Sequence, residues 1–303
     1  MSRKAHATAH IIQSLLVNVA IAVAKFVAAF LTGSGAMLAE AIHSSADCSN
    51  QLLLLLGMKK AAKDPDASHP LGYGRELYFW SFMVAMLLFT GGGVFSVYEG
   101  IHKILAPEPV EHILIGLAVL VFSLALEGGS TFSNVKEINR RRAGLPFVRY
   151  LRDTKDSDLI GVFGENSAAS LGLLFAIASI ALAHLTGNGV WDGVGSLLVG
   201  LVLLGVAIFL AVEVKSLLVG EAADPLMEKA IRDVADRDPS IESVLRILTI
   251  QQGPGEVMLA MKVKVKDGLS GTQLVDAVNA FERSLRASNP EIRWCFVEPD
   301  NQP

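Results

Sequence analysis

Charge is scarce in this chain. Only 18% of its 303 residues are Asp, Glu, Lys or Arg, against about 25% in an ordinary soluble domain. Nor is there a basic excess, since the formal net charge is −4; a nucleic-acid partner is therefore not expected. Cysteine is nearly absent. Cys48 and Cys295 lie far apart in the sequence and form neither a disulfide framework nor a CxxC metal motif. Histidine is missing from the last third, and His184 is the final one in the chain. A cleaved secretory leader is not expected either. Lys25 interrupts the first apolar run, and no small-residue cleavage site follows a short apolar region.

What fills the space is apolar: 51% of residues, with a mean hydropathy of +0.45. These residues are concentrated in long runs. A bilayer core of about 30 Å needs roughly 20 apolar residues in a helix. Six stretches meet that length, near 11–31, 36–58, 77–103, 111–135, 158–185 and 190–218. The sequence thus predicts an all-α six-helix transmembrane domain over 1–220. Lys and Arg alternate between the connections. Arg3 and Lys4 precede the first run, and Lys59, Lys60, Lys63 and Arg75 follow the second. The 136–157 segment adds Lys136, Arg140, Arg141, Arg142, Arg149, Arg152 and Lys155, while the other turns hold at most Lys103. Basic loops stay on the cytoplasmic side. Both termini are therefore expected to be cytoplasmic, in a membrane expected to be the bacterial inner membrane.

Residues 221–303 read differently. Asp224-Pro225 is a helix-start signal before Leu226–Val234. A strand is expected over 243–250, a Gly253-Pro254-Gly255 turn, and a second strand over 257–266 that alternates apolar and polar. An amphipathic helix follows over 270–285, capped by Ser270, and a last strand over 292–297. The order αββαβ predicts a small cytoplasmic α+β domain of ferredoxin-like type, with helices on one sheet face.

Ionisable residues at mid-membrane cost at least ~2.5–3.5 kcal/mol on insertion scales, so each needs a reason. The second run carries His43 and Asp47, four apart and therefore one turn apart on one helix face. Imidazole and carboxylate are both good ligands for zinc and other divalent ions. Asn50 and Gln51 continue the polar side, and Glu40 could help to capture cations. The fifth run carries Glu165 and Asn166, a second anion and a carbonyl oxygen, followed by small residues that permit close packing. Together they make up to four metal-ligating groups on two helices. A hydrogen-bonded polar seam between helices is the plainer alternative. Glu127 reads either as a proton-handling acid or as a helix partner. His69, with Asp64 and Asp66 nearby, reads as part of the approach to the next helix. Glu99 and Asp192 read as caps or interface contacts, and His102, His112 and His184 as solvated. No nucleophile–base pair suggests an enzyme. A carrier of an organic cation would need an aromatic-lined cavity, and the two polar runs hold only Phe163 and Phe175.

Several stretches resemble one family in the right order. They are AEAIHSSADCSNQ around His43 and Asp47, HPLGYGRELYFW (69–80), YEGIHKI (98–104), WDGVGSLLVG (191–200) and the tail. They are similar to the cation diffusion facilitators over nearly the whole chain. The resemblance implies efflux of a divalent cation, Zn2+ first, by alternating access in exchange for protons. It also implies a homodimer whose cytoplasmic tails pair, and a metal site between the second and fifth spans. Relatives that carry zinc have His or Asp, then Asp four residues on, in the fifth span; Val162 and Asn166 stand there. Glu165 is the adjacent anion. FGENSAASLGLL resembles the branch of mitochondrial zinc exporter-like members, with Glu-Asn where those have Glu-Asp. A harder ion such as Mn2+ stays open, as do Fe2+, Cd2+ and a transport-deficient metal-binding dimer. The resemblance also implies a loop metal site of the kind some relatives have, for which His69 with Asp64 and Asp66 is the candidate; the tail, without His, is expected to bind metal weakly or not at all.

Overall fold

A computed structural model of the chain describes residues 2–142, 144–153 and 157–302. Lys155, counted in the basic 136–157 segment, lies outside the described residues. The chain is predominantly helical as far as Val219. α1 spans Ser2–Thr32, α2 Gly35–Ala61, α3 Glu76–Leu87 and α4 Phe95–Leu105. A π-helical segment, Leu88–Val94, joins α3 to α4. α5 spans Ile113–Arg141, α6 Phe147–Asp153, α7 Ser157–Thr186 and α8 Val190–Val219.

Among the described residues, five segments are long and apolar enough to cross a membrane: Leu15–Thr32, Glu76–Leu105, Ile113–Arg141, Val162–Thr186 and Val190–Val219. A thirty-residue helix such as α8 is about 45 Å long at about 1.5 Å per residue. The sixth expected span, α2, has the length but not the apolarity, because Glu40, His43, Asp47, Asn50 and Gln51 interrupt it. The expected third run is not one regular helix. Its Gly91-Gly92-Gly93 stretch sits in the π segment, where each turn takes an extra residue. α5 runs six residues past its expected end at 135 and closes on Arg140 and Arg141, cations that suit a helix C-terminus.

By their internal contacts the residues fall into two units. One comprises residues 1–56 and 80–213. Its larger core joins Ala28 and Ala29 of α1, Met37 of α2, Leu120 of α5 and Leu173, Ala176 and Ile180 of α7. A second cluster joins Ala39, Leu88, Val199, Leu203 and Ala207. α4 and α8 meet backbone to backbone. A Cβ on Gly100 would lie 2.5 Å from Leu197 N, and one on Gly193 2.9 Å from Gly100 O. A Cβ on Gly200 would lie 2.7 Å from Val97 N. Gly193 and Gly200, seven apart on α8, and Gly100 on α4 keep this seam open, as close packing in lipid requires.

The other unit comprises residues 57–79 and 214–303. Asp224 accepts from Leu226 N and opens α9 (Pro225–Arg237). β1 (Ile241–Gly253) pairs antiparallel with β2 (Glu256–Val265), and β2 pairs parallel with β3 (Ile292–Pro299). α10 (Gly271–Ser288) starts with a capping box between Ser270 and Gln273. The element order is αββαβ, in a three-stranded sheet ordered β1-β2-β3. Leu259, Met261 and Val263 alternate along β2 into a core with Ile231, Ala235, Phe281 and Leu285 from the two helices. That period of two is the physical sense of the Val-Lys-Val-Lys pattern.

Candidate metal centre

α2 begins on a fully partnered carboxylate. Asp192, buried at the start of α8, accepts from Ser34 Oγ at 2.5 Å, Gly35 N at 2.6 Å and Ala36 N at 3.3 Å. Lys103 Nζ stands 3.4 Å from Asp192 Oδ2, the oxygen that accepts from Gly35 N, and also donates to Gly33 O. An anion at the positive end of a helix is well placed. Asp192 is thus a cap, as expected of it.

Two turns further on, α2 presents His43 and then Asp47. Their side chains are 3.7 Å apart, Nε2 to Oδ2, which is too long for a hydrogen bond. His43 is 2% exposed, and neither ring nitrogen has a hydrogen-bond partner among the described residues. A buried imidazole with both nitrogens bare is unusual and asks for an explanation. Asn50, a turn beyond Asp47, donates to Glu165 Oε1 at 2.8 Å. That bond ties α2 to α7 across the polar faces of both.

Asp47, Asn50, Glu165, Asn166, Ser44 and Glu127 line one cavity of ≈ 620 Å3. Val162 lines it too, and brings no ligand. Asn166 is held through its backbone, whose carbonyl accepts from Thr131 Oγ at 3.0 Å. Of the four residues expected to share an ion, Asp47, Glu165 and Asn166 face this cavity, and His43 is buried one turn from Asp47 on α2. Among the described residues, no three His, Cys, Asp or Glu side chains are placed to hold one ion together.

The two weaker candidates are differently placed. Glu127 Oε1 meets Lys25 Nζ at 3.2 Å, and the same ammonium meets Glu40 Oε2 at 3.1 Å. In the sequence, Lys25 reads only as a break in an apolar run and Glu40 as an outward attractant for cations. Both side chains are fully buried and paired with each other. The signal was Lys25 itself, since a lysine at membrane depth needs a buried anion. His69 sits on an exposed loop. Ser68 Oγ lies 2.9 Å from its Nδ1, Tyr73 packs on its ring with centroids 4.2 Å apart, and Asp66 Oδ1 accepts from its backbone N–H at 2.8 Å. These contacts fold the loop on itself ahead of α3.

The model of the Cation efflux transmembrane domain matches residues 11–219. The chain is 32% identical over 313 residues to the proton-coupled zinc antiporter SLC30A9, mitochondrial, of Homo sapiens, covering 90% of this chain and 55% of that protein. It is 29% identical over 283 residues to metal tolerance protein C4 of Arabidopsis thaliana, covering 93% of this chain and 61% of that one. It therefore spans little more than half the length of these relatives. With a family match over residues 11–219 and, among the described residues, five helical segments there long and apolar enough to cross a membrane, this membrane protein belongs to the cation efflux family.

Proposed function

We propose that the chain exports a divalent metal cation, zinc in the first place, through the cavity between α2 and α7 in exchange for protons. The observation that carries this reading is the meeting of Asp47 and Glu165 at one cavity, with His43 bare and buried a turn away on α2. In this reading α2 also crosses the membrane, which makes six spans and puts both termini on the cytoplasmic side. A polar helix tolerates that position when its ionisable face points into protein or a water-filled cavity. The human relative's name, a proton-coupled zinc antiporter, and the plant relative's, a metal tolerance protein, support the same chemistry.

The cycle follows from ligand protonation. Imidazole and carboxylate bind metal only when deprotonated, so an arriving ion displaces protons. An ion drawn in from the cytoplasm pulls Asp47 and Glu165 together with His43, Asn166 adding a neutral carbonyl oxygen. When the cavity opens outward, protons return to these groups and the ion leaves. Two negative ligands and one imidazole suit Zn2+. With Asn166 neutral, Mn2+ and Fe2+ remain within the range of the same donors.

A second reading is favoured by one observation: no three ligand side chains stand together among the described residues. In that reading the chain is a metal-binding dimer without flux. Metal uptake by proteoliposomes separates the two. The wild-type chain should take up zinc under an imposed proton gradient. Asp47→Ala should abolish that flux while the protein still purifies as a folded homodimer. Normal flux in Asp47→Ala would reject the site.

A further inference from the structure

Lys25 is 0% exposed within the membrane unit. An ammonium there is costly unless anions surround it. Its Nζ sits between Glu40 Oε2 at 3.1 Å and Glu127 Oε1 at 3.2 Å. Two carboxylates and one ammonium leave an excess of one negative charge when all are ionised. The remaining oxygens, Glu40 Oε1 and Glu127 Oε2, are buried and have no hydrogen-bond partner among the described residues. Carboxylate oxygens left bare in this way hold part of their desolvation penalty uncompensated. The cluster is therefore short of positive charge and of donors.

Its position matters as much as its charge. Glu40, His43 and Asp47 follow one another at i, i+3 and i+7, along one face of α2. Glu127 lines the cavity that Asp47 and Glu165 also line. On the far side, Gly172 of α7 accommodates the Glu40 carboxylate, since a Cβ there would collide with Oε1. The pair is thus continuous with the candidate metal centre, and it already holds a cation, tethered to α1.

We propose that Glu40 and Glu127 form a second cation subsite for a divalent metal ion, and that the Lys25 ammonium fills this subsite in the metal-free protein, so that ion and lysine compete for the same two carboxylates. The proposal rests on reading the cavity as the ion's path. A tethered competitor has a physical use. A passage step must bind well enough to admit an ion and weakly enough to release it, and an ammonium that swings back supplies the release. Oxygen donors alone make this subsite less selective for zinc than the imidazole-containing centre.

The test counts zinc bound per chain by full-length protein in detergent at fixed pH. Lys25→Met should bind about one more zinc than wild type, Lys25→Arg no more than wild type, and Lys25→Met with Glu40→Gln should lose the increment. If Lys25→Met is unstable without metal, its thermal unfolding is followed with and without zinc. The proposal expects zinc to restore wild-type stability, and Glu40→Gln in the same chain to remove the zinc dependence. A folded Lys25→Met with no added ion, or an unstable one that zinc does not rescue, would overturn it. The wild-type stoichiometry and its loss in Asp47→Ala test the proposed function separately, because Asp47→Ala should leave the Lys25→Met increment in place.

Discussion

Two buried carboxylates in the membrane unit behave in opposite ways. Asp192 is satisfied from several sides, by the Ser34 hydroxyl, two backbone N–H groups of α2 and the Lys103 ammonium. Glu40 has one partner, Lys25, and one bare oxygen. A fully partnered anion is architecture, and a partly partnered one is available for chemistry. Asp192→Ala should therefore be a stability variant. It strands Lys103 and the first N–H groups of α2, and the cost of breaking a buried pair from one side is about 3–5 kcal/mol. Thermal unfolding in detergent should fall accordingly, while zinc affinity per folded molecule should not. On the loop before α3, Asp66 makes a prediction about pH. The Ser68 and Tyr73 hydroxyls and the His69 backbone N–H donate to it and hold its carboxyl well below the usual carboxylate range. A carboxyl depressed by folding contributes stability above its unfolded value, about pH 4, and loses it as pH falls further. Tyr73→Phe removes one donor. The Asp66 carboxyl, followed by its 13C shift, should then titrate at a higher pH than in wild type. Equal titration in both would show that the Tyr73 contact is not populated.

At the scale of elements, periodicity exposed some features and hid others. The His43–Asp47 spacing needs only the helix repeat to be read, and so does the alternation in β2. The length of α2 was legible. Its departure from a uniformly apolar helix is the same set of residues that made it interesting. The π segment was not legible, because three consecutive glycines read equally as a flexible kink or as part of a regular helix. The partnership of Lys25 with Glu40 and Glu127 spans 15 and 102 residues of sequence. No local pattern reports such separations; only the cost of an isolated buried charge does. The α4–α8 seam is the element-scale feature that mutation can test most simply. Gly100→Leu would drive a side chain into the α8 backbone near Leu197 and Gly193. Overpacking of this kind costs about 1–3 kcal/mol or more when backbones must separate. A lower unfolding temperature is expected, and an unchanged one would mean that the two helices are not in contact in the membrane.

Across the whole molecule, the division of labour follows composition. Charge-poor residues make the helical unit, and the charged, histidine-free tail makes a small αββαβ unit with its own core. The tail brings no imidazole to a divalent ion, and its one thiol, Cys295, is buried. The account therefore places the ion in the helical unit. Anomalous X-ray scattering at the zinc edge, from zinc-loaded crystals of the full chain, measures this directly. The prediction is one strong peak in the cavity within coordination distance of Asp47 and Glu165, with His43 turned towards it and no comparable peak in the C-terminal unit. A peak confined to the loop around His69 or to the tail, with none between α2 and α7, would contradict the account.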